Sequence, residues 1–471
     1  DKCMDYFAIG GKPFLSRFPP HIPGIFNPNR LQEHQQQDGG AEALLAAGVA
    51  GAGAGAGAGA AAGAAGGDGR LNPGLVQNQS EAFQALQAFQ YSAQAQAFQF
   101  SAPSFQPRAR VAEHGGASAG AAGVSPLSPF APAFPDAAPP DDGFVRAPQA
   151  LHQGFNAPDE VQPWEASRFE VLRKLQDATR NRGQVHLMRD THQGNRLVAV
   201  KQMPNRWIQT CHSEFVVEHP TETEMPWQDC GCIRFLNKQS YLYGCELLGV
   251  YRDDTHTFVI TAFATEGDLF SWCEGGEAPG HAREVVVQPI ARQIIEGVQQ
   301  LHDFNIVHRD LSLENVLMTK MEDDSLQIRL IDFSMASTAR VFRNCVRGKA
   351  SYQAPELHGD QEYDALLSDA FSVGVTLYAV LLKDYPWLST RPGGCKCFEY
   401  VRKHGFRSYL AKRKLRNSTQ KVVEVMSEPL VQLLEGLLAF DPAQRLTLGE
   451  RTWNGQRRSV WDEAWLHTGP G

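Results

Sequence analysis

Residues 39–67 are mostly alanine and glycine, with a strict Gly-Ala alternation from Gly51 to Ala60. Side chains this small bury too little surface to offset the entropy lost on ordering a backbone. The bias continues beyond them. Phe-Gln pairs recur at Phe83-Gln84, Phe89-Gln90, Phe98-Gln99 and Phe105-Gln106, and a Pro/Ala/Ser stretch then runs to about Pro158. Charge marks the same division: residues 1–160 hold 8 Lys/Arg and 13 Asp/Glu, whereas residues 161–471 hold 36 and 39. The expectation is a low-complexity, largely disordered arm over 1–160 and one folded region over 161–471, with roughly 300 residues and so ample for a core. The Phe-Gln pairs leave two readings open: biased composition alone, or an adhesive segment that recruits protein partners.

Several classes are excluded. Neither part is basic enough for a nucleic-acid footprint, since the whole chain carries a formal charge of −8. No membrane span is expected, because the uncharged stretch Ala43–Gly67 has too weak an apolar character. The start lacks the basic and apolar regions of a signal peptide, although it begins at Asp1 rather than Met, so a preceding targeting segment stays open. Nine cysteines at irregular spacing argue against a disulfide framework and for an intracellular setting, cytoplasmic or nuclear. Two Cys-x-Cys pairs, Cys230/Cys232 and Cys395/Cys397, lack the two-to-four-residue spacing of common zinc sites and read as free thiols.

From about Pro163 the apolar residues take on structural periods. Leu197–Val200, Thr257–Thr261 and Leu326–Ile331 read as short strands, whereas Val285–His302 reads as an amphipathic helix and Ser368–Leu382 as a helix buried on every side. Strands come first and helices later.

The chemistry-bearing motifs follow that order. Val-Ala-Val-Lys stands at 198–201, His-Arg-Asp-Leu-Ser-Leu-Glu-Asn at 308–315, Asp-Phe-Ser at 332–334 and Ala-Pro-Glu at 354–356. Over about 165–466 this set resembles the eukaryotic protein kinases. The resemblance implies an α+β, bilobal protein-kinase-like fold, with an antiparallel β-rich N-lobe (about 165–264) and a mainly α-helical C-lobe (about 265–466). It implies ATP and Mg2+ as cofactors and a protein substrate. Phosphoryl transfer needs a cation on the phosphates, oxygen ligands on magnesium and an acceptor for the hydroxyl proton. By resemblance these are Lys201, the metal ligands Asn315 and Asp332, and Asp310. Val185, Ala199 and Leu317 would sandwich adenine, Thr261 would be the gatekeeper, Ala262–Ala264 the hinge, and Asp268 a ribose contact. Glu356 and Arg445 fit a buried ion pair, and Asp369 fits an acid bracing the catalytic loop. Tyr352-Gln-Ala-Pro-Glu resembles the Ser/Thr branch.

Departures from the family pattern are concentrated near the phosphates. Gln176 and Ala178 replace the first two glycines of the glycine-rich loop, two residues are extra, and only Gly183 is kept. Weaker nucleotide binding is expected, and a pseudokinase acting as a nucleotide-binding scaffold is the alternative. The acid pairing Lys201 is read as Asp229, 28 residues on, with Cys232, Ile233 and Leu236 on one helix face. Glu222 and Glu224 are rivals, but Pro226 would interrupt a helix after them. Ser312 stands where the family places Lys, and Lys349 where it places Thr. Either these are unrelated surface changes, or amine and hydroxyl have exchanged places and Lys349 is catalytic. Ser334 replaces a glycine, which predicts fewer inactive conformations of Asp332. Cys345 takes the usual phosphosite, three residues before Gly348, with Ser337, Thr338 and Ser351 nearby and Arg309, Arg340, Arg343 and Arg347 available to a phosphate. A third reading makes the arm the main functional part, as a recruiting segment.

Overall fold

The strand-forming and helix-forming runs segregate into two layers of structure around a cleft. The computed structural model describes residues 145–155 and 160–467. The arm's Ala/Gly tract and Phe-Gln pairs lie outside these residues.

The first lobe is a six-stranded sheet. Its strands are β1 (Gln162–Pro163), β2 (Phe169–Ala178), β3 (Gly183–Asp190), β4 (Arg196–Pro204), β5 (Leu247–Arg252) and β6 (His256–Ala262), in spatial order β1-β5-β6-β4-β3-β2. All pairings are antiparallel except β1 with β5. Period-2 alternation decides its faces. Val198 and Val200 of β4 are fully buried in a cluster with Phe169, Met188, Tyr251, Phe258 and Ile260. Their neighbours Ala199 and Lys201 therefore point to the opposite, cleft-side face.

Between β4 and β5 lie α1 (Asn205–Ile208), α2 (His212–Glu218) and α3 (Pro226–Lys238). Pro226 opens α3 at its first turn, where a missing N–H costs nothing. The proline thus starts the helix, and Glu222 and Glu224 precede it.

The second lobe contains a small sheet of β7 (Gly267–Asp268), β8 (Val316–Lys320) and β9 (Leu326–Leu330). Its helices are α4 (Leu269–Glu274), α5 (His281–Asp303), α6 (Ala365–Leu382), α7 (Lys396–His404), α8 (Phe406–Lys412) and α9 (Glu428–Leu437). Helix α5 begins four residues before the expected Val285, because its first turn is polar and precedes the apolar stripe. Helix α6 begins three residues before Ser368, capped by the Asp364 carboxylate on the Leu366 N–H. Among the described residues α6 is long and apolar enough to cross a membrane, with mean hydropathy 1.8, yet all of it is buried as the axis of this lobe.

The boundary expected at residue 160 needs correction, since residues 145–155 pack on the folded region. Ala147, Leu151 and Phe155, at steps of four, are buried, and Leu151–Phe155 forms a 3-10 turn against α3. Gly231 of α3 permits this approach, because a Cβ there would lie 2.2 Å from the Leu151 carbonyl oxygen. The Arg234 guanidinium sits 5.1 Å from the Phe155 ring and pairs with Glu160. Three apolar side chains in a Pro/Ala-rich background hid this element from a reading by composition.

Candidate active site

The floor of the cleft is built by the loop between α5 and β8. Asp369, on the buried face of α6, accepts the His308 N–H at 2.7 Å and the Arg309 N–H at 2.9 Å. His302 stands between Asp369 and Glu450, at 3.2 and 2.7 Å. Burial opposes its charge, but the two carboxylates outweigh that and raise its pKa to about 9. Below the cleft, Arg445 holds Glu356 through two nitrogens, at 2.5 and 2.9 Å. Both acids thus take the bracing positions expected of them.

This scaffold brings Asp310, Asn315 and Asp332 together. Asn315 Nδ2 donates to the Asp310 carbonyl at 2.8 Å, and the Asp310 Oδ2 lies 3.3 Å away. Asp310 Oδ1 is buried and has no hydrogen-bond partner among the described residues. Burial pushes its carboxyl up to about 7, with Asp332 and Glu224 adding and the charges of Lys349 and Arg180 opposing. Gly348 packs against this loop with φ +81°, and a Cβ there would lie 2.8 Å from the Arg309 carbonyl oxygen.

Asp332 adopts a left-handed backbone (φ 64°) and accepts the Ser334 hydroxyl at 2.6 Å. The serine that replaces glycine therefore ties the carboxylate it was expected to restrict. Burial works against the ionised form, but Lys201 and the Ser334 hydroxyl hold the Asp332 carboxyl below its ordinary range.

The roof supplies Lys201 and Asp229. Lys201 Nζ lies 3.7 Å from Asp229 Oδ2, and Asp229 Oδ1 accepts the Phe333 N–H at 2.9 Å. The helical spacing that singled out Asp229 corresponds to the buried face carrying Cys232, Ile233 and Leu236. Burial would depress the Lys201 ammonium, but Asp229, Asp332 and Glu224 outweigh it and raise its pKa.

Val185 pairs with Lys201, and Ala199 pairs with Thr261, so these four share the cleft face of the sheet. Ala262 ends β6, its N–H donating to the Glu246 carbonyl at 2.9 Å, and Ala264 is buried just beyond. Leu317 of β8 pairs with Asp268. The Asp268 carboxylate caps α4 by accepting the Ser271 N–H at 2.6 Å.

Lys349 and Ser312 meet. The Lys349 ammonium donates to Ser312 Oγ at 2.7 Å and lies 3.0 Å from Glu314 Oε2. Amine and hydroxyl thus occupy one place beside Asp310, with their sequence positions exchanged. Arg309 donates to the Cys345 sulfur at 2.9 Å and stacks 3.9 Å from the centre of the Phe342 ring. Arg309, available to a phosphate by the sequence pattern, is thus occupied by a thiol and a ring.

Two side chains in the site, Glu314 and Arg180, lie outside the motif reading, and Glu224 enters the site in a role other than pairing Lys201. Glu314 anchors Lys349. Arg180, between β2 and β3, lies 2.5 Å from Glu224, which is buried. Pro226 begins α3, so Glu224 lies off the helix, and the Met225 N–H donates to the Ser334 carbonyl at 3.0 Å, which brings this segment beside Asp332. Ladder pairing in the roof continues to Ala178 opposite Gly183, and β2 takes up extra residues at two register shifts, at Leu172 and Leu175.

The described residues thus hold a two-lobed fold with a cleft lined by a lysine, a buried aspartate and an Asn/Asp pair, which is the arrangement of a phosphotransferase of the protein kinase type. The protein kinase domain family matches residues 180–454, more than half of the chain. The chain belongs to that family. It is similar to the serine/threonine-protein kinase SRK2F of Arabidopsis thaliana, 28% identical over 43% of this chain and 54% of the relative. It is also similar to the serine/threonine-protein kinase SAPK3 of Oryza sativa subsp. indica, 30% identical over 42% of this chain and 57% of the relative. A probable serine/threonine-protein kinase of Dictyostelium discoideum, fhkD, is 28% identical over 46% of this chain and 29% of the relative. The matched stretch spans about half the length of the plant relatives.

Proposed function

We propose that the chain is an ATP- and Mg2+-dependent protein serine/threonine kinase. The observation that carries this is the buried Oδ1 of Asp310, without a hydrogen-bond partner among the described residues, on a carboxylate whose Oδ2 lies 3.3 Å from Asn315 Nδ2. A buried carboxylate oxygen left without a partner is suited to orient and accept the proton of an incoming hydroxyl.

The residues present fit a magnesium nucleotide. Magnesium is ordinarily held by one or two carboxylates together with waters and phosphate oxygens, and Asp332 with Asn315 offers that donor set. When bound, the metal neutralises charge on the phosphates. Lys201 supplies a fixed cation for the inner phosphates, with Asp229 keeping its side chain in the cleft. Lys349 brings a second positive charge beside Asp310, where charge develops during transfer, and Glu314 with Ser312 fixes its position. Val185, Ala199 and Leu317 form the apolar walls for adenine, Thr261 and Ala262–Ala264 its edge, and Asp268 the ribose side. Tyr352-Gln-Ala-Pro-Glu and the names of the relatives support the Ser/Thr assignment.

One observation favours the pseudokinase alternative: the roof carries Gln176 and Ala178 where glycines would let the backbone approach phosphates. ATP turnover on a generic Ser/Thr substrate separates the two. The wild-type chain is expected to exceed Asp310→Asn and Asp332→Asn by at least about a hundredfold. Equal background in all three makes the protein a nucleotide-binding scaffold. The arm's role in recruiting partners is a separate proposal: removal of residues 1–144 should spare turnover and abolish recruitment.

A further inference from the structure

The loop between β2 and β3 reads Thr179-Arg180-Asn181-Arg182, so charged and polar side chains stand between the replaced glycine at Ala178 and the retained Gly183. Those side chains are anchored. Asn181 is buried, 3.4 Å from Glu224 Oε2, with the Trp207 indole N–H within 3.5 Å of its oxygen. Arg182, at φ 51°, places its guanidinium 5.3 Å from the centre of the Trp207 ring. Gly183 is kept for a backbone reason, because a Cβ there would lie 2.1 Å from the Gln202 carbonyl oxygen.

Arg180 is aimed into the cleft. Its Nη1 lies 2.5 Å from Glu224 Oε1, and the next residue, Met225, donates its N–H to the Ser334 carbonyl at 3.0 Å, which sets the pair beside Asp332. Glu224 in turn sits close enough to Lys201 and Asp332 to act on both, and only 5% of its surface is exposed. Its carboxylate is thus held by a planar guanidinium and faces an ammonium, which is the environment of a phosphate oxygen.

We infer that Arg180 is a further phosphate-binding residue, contacting the terminal phosphate of the nucleotide, and that Glu224 holds its guanidinium in position until that phosphate arrives. This rests on the kinase reading and deepens it. A backbone cradle is replaced by a side-chain cation, whose fork exchanges the Glu224 carboxylate for phosphate oxygens. Loss of the loop glycines then costs less affinity than the motif suggests. The specificity it confers is for a nucleoside triphosphate over a diphosphate, because the Glu224 segment that holds the guanidinium is joined to Ser334, two residues from the metal ligand Asp332, through the Met225 N–H.

The test is calorimetric titration of the full chain, in Mg2+, with a non-hydrolysable ATP analogue and with ADP, for wild type, Arg180→Ala, Arg180→Lys and Glu224→Gln. Arg180→Ala should weaken binding of the triphosphate roughly tenfold to a hundredfold, the scale of a charge-assisted hydrogen bond, and leave ADP within about twofold. Arg180→Lys should recover part of the loss, and Glu224→Gln should leave triphosphate binding equal or tighter. Equal affinities of wild type and Arg180→Ala for the triphosphate, or equal losses for both nucleotides, overturn the inference while leaving the kinase reading intact. A wild-type chain that binds neither nucleotide overturns both.

Discussion

In the floor of the cleft, one buried carboxylate on α6, Asp369, accepts two main-chain N–H groups and faces a histidine, so the loop carrying Asp310 is fixed by the core of the second lobe. In the roof, the β2–β3 loop hangs from the sheet edge, and its Arg180 and Asn181 are held by side chains brought from elsewhere, Glu224 and Trp207. The floor keeps Asp310, Asn315, Asp332 and Asp369 in the family's order, and its Ser312 and Lys349 exchange places but still meet. The roof keeps Lys201 and little else, and meets its needs with an aspartate, a guanidinium and a single glycine. The floor must hold reacting atoms to within fractions of an ångström, which a buried network can do. Charge on a phosphate can be met by any well-placed cation, so the roof has freedom to change.

The largest effect expected from this contrast is on stability in the floor. Asp369→Ala leaves two buried N–H groups without their acceptor and His302 with Glu450 alone, and should cost about 3–5 kcal/mol in denaturant unfolding. A loss under about 1 kcal/mol would mean that the floor is not held from α6.

The same network has a pH signature. His302 is raised to about 9 in the folded protein against an ordinary 6.5. Its contribution is therefore fully present below pH 6.5, where both states are protonated, and is lost as pH rises through about 9. Unfolding free energy should fall over that window by up to about 3 kcal/mol, and His302→Gln should flatten the fall. A wild-type profile flat from pH 6.5 to 9 contradicts a charged His302.

The smallest effect sharpens the account of the roof. Because the β2–β3 ladder runs to Ala178 opposite Gly183, the double change Gln176→Gly with Ala178→Gly should cost about 1–2 kcal/mol of stability. Triphosphate affinity should stay within about twofold, on the scale set by one charged contact elsewhere. A tenfold gain would show that backbone approach, and not Arg180, limits binding.

What was legible in the sequence follows the same division. His308–Asn315, Asp332, Asp369 and the Glu356–Arg445 pair could be read because each belongs to a short local run whose neighbours fix its context. Asp229 was readable because Cys232, Ile233 and Leu236 mark a buried helix face. Arg180, Glu224 and Glu314 were not, since each acquires its role only when two distant segments fold over one another. Lys201 takes Asp229 and not Glu224, because Pro226 begins α3 and leaves Glu224 off the helix, where it meets Arg180 instead. Residues 145–155 were assigned to the arm because three apolar side chains at four-residue steps carry little weight against a Pro/Ala-rich composition.

The central claim is that the functional groups of this kinase domain have been moved and not lost, and the Ser312–Lys349 contact tests it most directly. Phosphate transfer from ATP to a protein substrate is measured for wild type, Lys349→Thr, and the double variant Ser312→Lys with Lys349→Thr. The single change should lower turnover by about a hundredfold, and the double should recover to within about tenfold of wild type. Turnover unchanged in Lys349→Thr, or a double variant no better than the single, would contradict the claim.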